Sequence, residues 1–189
     1  MTIRCFLALP ISGKLKEKFR HIVHGLQDTR ADVKWVKLEN LHLTLKFLGD
    51  IEDNKLENIS SVVRDCCRGV GPVTSYLTQL GGFPDMHHPK ILWVALGDSK
   101  KKIEGMVEVL ERELAKVGII KEERPFKPHI TIGRMKSLAN LKNLSCAIQQ
   151  ITFEDTTEEP FDRIILYKST LTPQGPIYEV LNAFEFDER

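Results

Sequence analysis

The apolar pattern of this chain runs twice through the same order of strands and helices, and that repetition limits the folds open to it more than any other feature. Residues 3–9 form a short apolar run suited to a buried strand, and Leu15, Phe19, Ile22, Val23 and Leu26 follow at helical spacing. Residues 41–48 (LHLTLKFL) alternate and close on the turn signal Gly49-Asp50. Asp53 is placed to cap a helix with Leu56, Ile59, Val62, Val63 and Cys66 inward and Gly69 just past its end; a strand over 73–80 completes the first pass. The second pass has a strand over 91–96, then a helix with Ile103, Val107, Leu110, Leu114 and Val117 inward, closed by Gly118. A strand over 129–132 comes next. Ser137 is placed to cap a helix carrying Leu138, Leu141, Leu144 and Ile148, and strands are expected over 151–153, 163–171 and 177–186.

The two passes carry the same polar residues at the same place. Residues 42–45 (HLTL) and 129–132 (HITI) share the pattern H-x-T-x, and 129 − 42 = 87. Adding 87 to Phe6 reaches Trp93 in the corresponding strand, and adding it to Ser12 reaches Ser99 at the start of the second long helix. A fixed offset across several elements is what a duplication leaves behind. Side chains alternate along a strand, so His42 and Thr44 share one face, as do His129 and Thr131, while Leu43, Leu45, Ile130 and Ile132 point into the core. If a pseudo-two-fold relates the halves, the two faces meet across a cleft that holds two acid/base groups. One such triplet reads as a strand histidine beside a β-favouring threonine. Two copies in register on apolar strands point instead to a site.

Length and composition decide what surrounds that site. A chain of 189 residues, 42% apolar and 28% charged, supports one compact domain over 1–189, with room for two lobes. The fold class is α+β. A net charge of +1 argues against a broad basic face, so a nucleic acid partner would be gripped locally. Cys5, Cys66, Cys67 and Cys146 form no C-x-x-C pair and read as reduced, mostly buried small apolar residues. The apolar run after Cys5 contains Pro10 and leads to Lys14, Lys16 and Lys18 rather than a cleavage site, and no stretch approaches the roughly 20 residues of a membrane span. A cytoplasmic protein with no membrane contact and no obligate protein partner, a monomer, is expected. Two histidines with two hydroxyls make a poor zinc set, so neither metal nor cofactor is expected. His87-His88, in a loop between Pro84 and Pro89, has no matched partners and reads as solvated; His21 and His24 fall on a surface helix, and Lys100-Lys101-Lys102 reads as a solvated helix start. Phe6, Phe47 and Tyr167 could stack a base, with core packing as the plainer assignment for each.

The paired motifs and their surroundings resemble the 2H phosphoesterase superfamily, and within it the bacterial and archaeal 2′-5′ RNA ligase-like group of RNA 2′,3′-cyclic phosphodiesterases. The matching stretches are 4–9 (RCFLAL), 35–50 (WVKLENLHLTLKFLGD), 91–94 (ILWV), 125–134 (PFKPHITIGR) and 166–178 (LYKSTLTPQGPIY). No member of the motif set is missing. The resemblance implies a bilobal fold, two mainly antiparallel sheets facing across a central cleft with helices outside. It implies that His42 is the proton donor to the 3′ oxygen and His129 the acceptor that activates water, leaving a 2′-phosphomonoester. RNA ending in a 2′,3′-cyclic phosphate, tRNA-derived ends among them, is the implied partner. Thr44 and Thr131 can donate to the phosphate oxygens. Arg134 completes H-x-T-x-x-R, a form in which similar proteins bind phosphate through the guanidinium. Strict alternation puts Arg134 on the opposite face from His129, so that role needs a bulge, which Gly133 permits. The first motif has Phe47 at that place. The same site chemistry would serve 2′-5′ RNA ligation, or hydrolysis of a cyclic nucleotide or ADP-ribose cyclic phosphate. A non-catalytic RNA-end binding module is the reading outside enzymology, and titratable histidines suit it less well than lysine or arginine would.

Overall fold

The computed structural model describes residues 1–97, 101–153 and 158–187. Ser99 and Lys100, both singled out above, lie outside the described residues. The elements run β1 (Thr2–Pro10), α1 (Gly13–Gln27), β2 (Val33–Trp35), β3 (His42–Glu52), α2 (Leu56–Cys67), β4 (Val73–Phe83), β5 (Ile91–Gly97), α3 (Lys102–Lys116), β6 (His129–Met135), α4 (Leu141–Gln150), β7 (Glu159–Phe161), β8 (Arg163–Thr172) and β9 (Gly175–Glu185). The class is α+β, and every pairing between these strands is antiparallel.

The strand order is β7-β4-β5-β6-β3-β1-β8-β9, with β2 added to β6. Each half of the chain lends its last long strands to the other. Thus β4, from the first half, pairs with β5, and β8, from the second, pairs with β1. Strands β3 and β6 are paired through one residue pair, Leu43 opposite Ile130, so the two expected sheets are joined into one at the centres of the two motifs.

Helices α1 and α3 bury the faces that their spacing predicts, whereas in α2 Cys67 rather than Cys66 is buried, and Leu138, expected inward on α4, precedes that helix and is 49% exposed. Leu15, Phe19, Val23 and Leu26 of α1 and Ile103, Val107, Leu110 and Leu114 of α3 are buried in one core together with Leu43, Leu45, Ile130 and Ile132. Ser12 caps α1 by accepting from the Leu15 amide at 3.0 Å. The other expected N-terminal caps do not form, whereas Gly118, at φ 85°, closes α3 as its position predicts. Asp53 opens a short 3₁₀ turn and sits 3.6 Å from the terminal amino group, and α2 starts only at Leu56. Ser137 donates to Asp32 at 2.8 Å and stands four residues before α4. Residues 151–153 form no strand, whereas β2 is a strand that the pattern does not announce, because three residues with a lysine in the middle carry no readable period.

The repeat is exact only in part. Thr44 lies opposite Ala8 and Thr131 opposite Trp93, so the counterpart of Trp93 is Ala8 rather than Phe6, an offset of 93 − 8 = 85. Helix starts differ by 102 − 13 = 89. In β3 and β6, by contrast, 87 holds to the residue, including one irregularity. Leu7 pairs with Lys46 and Ala8 with Thr44, which leaves Leu45 as an extra residue; Leu92 pairs with Gly133 and Trp93 with Thr131, which leaves Ile132. Both motif strands carry the same one-residue bulge, and both show it as two consecutive buried residues, Leu45-Lys46 and Ile132-Gly133.

Candidate active site

The Leu43–Ile130 pair fixes how the motifs face each other. Leu43 and Ile130 are the one residue pair between β3 and β6; continuing that antiparallel register by one step, with partner numbers summing to 43 + 130 = 173, would set His42 against Thr131 and Thr44 against His129. Leu43 and Ile130 are fully buried on the core side, which turns all four polar side chains to the other face. That register would place a histidine across from each threonine, four polar residues in a square around the Leu43–Ile130 pair. The imidazoles would then occupy one diagonal. Diagonal neighbours of a regular pair lie about 7–8 Å apart, a spacing that admits a phosphate between two ring nitrogens.

Both rings are oriented in the same way. His42 Nδ1 lies 2.7 Å from the carbonyl oxygen of Asn40, and His129 Nδ1 lies 2.7 Å from that of Lys127. A carbonyl can only accept, so Nδ1 carries the proton in each neutral ring and Nε2 is left with a lone pair. Each ring also leans on aromatic neighbours. Phe6 and Tyr178 lie 4.9 and 5.3 Å from the His42 ring, and Phe83 lies 5.1 Å from His129, edge to face. Burial pushes His42 below the usual histidine range, and the Asn40 carbonyl, which favours the charged ring, offsets this only in part. Burial raises Tyr178 above its ordinary value, with the Arg134 guanidinium acting against it.

A cleft of about 520 Å³ opens on this face, lined by His42, Thr44, Thr131 and Arg134 among others. His129 is half-buried and is not among the lining residues, although Thr131, two residues along the same strand, is. The bulge at Ile132 resolves the objection to Arg134. With one extra residue between Thr131 and Arg134, the arginine returns to the motif face, and its side chain is exposed to the cleft. Gly133 is the residue that permits this, since a Cβ there would fall 2.6 Å from Val33 Cγ1 and 3.2 Å from Trp35 Cε3 of β2. The matching bulge at Leu45 puts Phe47 in the place corresponding to Arg134. Phe47 lines the cleft and is 73% exposed, so core packing is wrong for it, while Phe6, 3% exposed, is packed and Tyr167 stacks on Phe6 at 5.2 Å.

The carbonyls of Asn40 and Lys127 were not visible as site atoms in the sequence, because every residue has a carbonyl and the two side chains have nothing in common. Their shared position, two residues before each histidine, was the available signal. The other histidine pair stays outside the cleft. Asp85 accepts from the amides of His87 and His88 at 2.8 and 3.0 Å, and no three His, Cys, Asp or Glu among the described residues are grouped to hold a metal. No helix among the described residues is long and apolar enough to cross a membrane.

Comparison with known proteins gives one consistent result. A family model described as LigT like phosphoesterase matches residues 9–93 and 95–178. The chain is 33% identical to the RNA 2′,3′-cyclic phosphodiesterase of Methanothermobacter thermautotrophicus over 97% of its own length and 99% of that protein's. It is 35% identical to the protein of that name from Methanocaldococcus jannaschii, over 95% and 98% of the two chains. A crystal structure from Thermus thermophilus superposes with a TM-score of 0.81 at 24% identity over 97% and 98% of the chains. E. coli LigT complexed with 3′-AMP does so with a TM-score of 0.76 at 20% identity over 98% and 99%, a likeness of fold.

Proposed function

The chain belongs to the LigT-like phosphoesterase family and is therefore an enzyme acting on phosphate esters; we propose that it opens 2′,3′-cyclic phosphate ends of RNA to 2′-phosphomonoesters. What supports the reading is the pair of matched imidazoles, each with Nδ1 2.7 Å from the carbonyl two residues before it, on strands that meet at Leu43 and Ile130 between the two motifs. Two bases so presented, with hydroxyl donors between them, suit in-line displacement at one phosphorus.

In the proposed reaction, water attacks phosphorus on the side away from the 3′ oxygen. Nε2 of His129 takes the water's proton as the new P–O bond forms. Nε2–H of His42 gives its proton to the 3′ oxygen as the P–O3′ bond breaks, so one proton enters the protein and one leaves it in each turnover. Thr44 and Thr131 donate to the non-bridging oxygens, and the Arg134 guanidinium adds fixed positive charge where the phosphate's negative charge concentrates. The direction of the His42 shift bears on this assignment. A ring held below the usual range gives up its proton readily, which suits an acid, but it is less often protonated in the empty cleft. The bound phosphate supplies the missing stabilisation, because a nearby negative charge favours imidazolium.

The reading needs no metal, since phosphate charge is met by Arg134 and the hydroxyls. The lining residues offer no carboxylate, and the thiol of Cys5, pushed up to about 11 by burial, stays protonated. The test is incubation of the purified protein with an RNA ending in a 2′,3′-cyclic phosphate, with and without EDTA. A 2′-phosphomonoester formed at the same rate in both is expected; a 3′-phosphomonoester, or loss of the reaction in EDTA, refutes the mechanism as written.

A further inference from the structure

The cleft holds more positive charge than one cyclic phosphate can use. Arg4, Lys34, Lys37 and Arg134 all line it and no carboxylate does, although the whole chain has a net charge of only +1. Lys34 of β2 lies directly opposite Arg134 of β6 in the strand register. Like charges directly opposite one another across an antiparallel pair destabilise it, and among the described residues neither side chain forms an ion pair with a carboxylate. Among the described residues Lys34 donates to the Pro173 carbonyl, at 3.4 Å, and Lys37 is paired with Glu39 at 3.8 Å with both side chains 70% exposed. The contact with Pro173 holds the ammonium beside the β8–β9 turn, whose residues Thr172, Gln174 and Gly175 also line the cleft. Positive charge therefore runs outward in steps, from the motif pair to Arg134 on β6 and then to Lys34 on β2.

Resting on the function proposed above, we infer that Lys34 is a second phosphate subsite, which receives the phosphodiester one nucleotide upstream of the cyclic end. The substrate class is then an oligoribonucleotide, and a cyclic mononucleotide, with a single phosphate, leaves Lys34 unused. Neutralisation by an RNA backbone is what makes the opposed Lys34 and Arg134 tolerable at the cleft, and it lets a chain of nearly neutral charge grip RNA locally.

The test compares kcat/KM for a 2′,3′-cyclic mononucleotide with that for a dinucleotide ending in the same cyclic phosphate, in the wild-type chain, Lys34→Ala and Lys34→Arg. The wild type is expected to favour the dinucleotide by about tenfold, the size of one charge-assisted contact. Lys34→Ala should bring that ratio close to one and Lys34→Arg should keep most of it. Raising the salt should lower the wild-type rate on the dinucleotide more steeply than on the mononucleotide, by about 0.7 in the log–log slope for one extra phosphate contact, and the difference should vanish in Lys34→Ala. A wild-type ratio near one, or a ratio that survives Lys34→Ala, overturns the subsite. If the wild type opens neither substrate, the proposed function itself falls.

Discussion

Replacing Gly133 by alanine probes the feature that brings Arg134 to the motif face. The added Cβ would lie 2.6 Å from Val33 Cγ1, where carbon atoms in contact are normally about 3.5–4.0 Å apart, so an overlap of about 1 Å must be relieved. Val33 cannot simply swing aside, because a β-branched side chain is stiff and Trp35 crowds the same Cβ at 3.2 Å. The remaining route is to push β2, paired over only three residues, away from β6, and Lys34 and Arg134 move with it. Overpacking of this size costs about 1–3 kcal/mol, well within the stability of a folded domain. For a chain of this length the melting temperature should fall by about 2–4 °C per kcal/mol. An ångström-scale misplacement of a phosphate-holding group costs about 10²-fold in rate. The assay is kcat/KM on a cyclic-phosphate RNA beside a thermal melt, for Gly133→Ala alone and together with Val33→Ala, which removes the struck methyl. The double variant should recover most of both losses. Unchanged Tm and kcat/KM in the single variant, or no recovery in the double, would refute the packing argument.

Arg134→Ala should lower kcat/KM by about 10–10²-fold, the range of a hydrogen bond to a charged group, and Arg134→Lys should restore only part of it, because a point charge cannot replace a planar fork of donors. Equal activity of the lysine variant and the wild type would reduce Arg134 to a diffuse charge. His42 is held below the usual histidine value by burial, so an NMR titration of the substrate-free protein should show its ring gaining a proton only below about pH 6.5, and inorganic phosphate should move the midpoint upward. Neutral His42 therefore favours the fold above that pH, and its contribution to stability is lost as pH falls towards the lowered midpoint. A midpoint at or above 6.5 without phosphate would contradict the burial that lowers it.

Much of this was legible in the residues because strands and helices announce themselves by period. The inward faces of α1 and α3, the two motif strands and the shared face of each His-Thr pair all follow from counting by two or by three and four. Counting fails where the backbone breaks the period. Arg134 stands five residues after His129 and alternation sends it to the core side; only the extra residue at Ile132, with Gly133 letting β2 approach, returns it. The same bulge at Leu45 exposes Phe47, whose apolar character alone suggests packing. The exchange of β4 and β8 between the lobes is a matter of long-range pairing, and no local pattern records it. Ring orientation depends on two backbone carbonyls that any residue could supply.

The central claim is that both imidazoles act on one phosphorus, and the direct test is the single-turnover rate of His42→Ala, His129→Ala and the double variant on an RNA with a 2′,3′-cyclic phosphate end, with folding checked by melting. General acid and general base catalysis each contribute about 10²–10⁴-fold. Each single variant should lose at least that much, and the double should lose little more than the worse single, because groups that act as a unit are not additive. A rate near that of the wild type in either folded single variant would contradict the account.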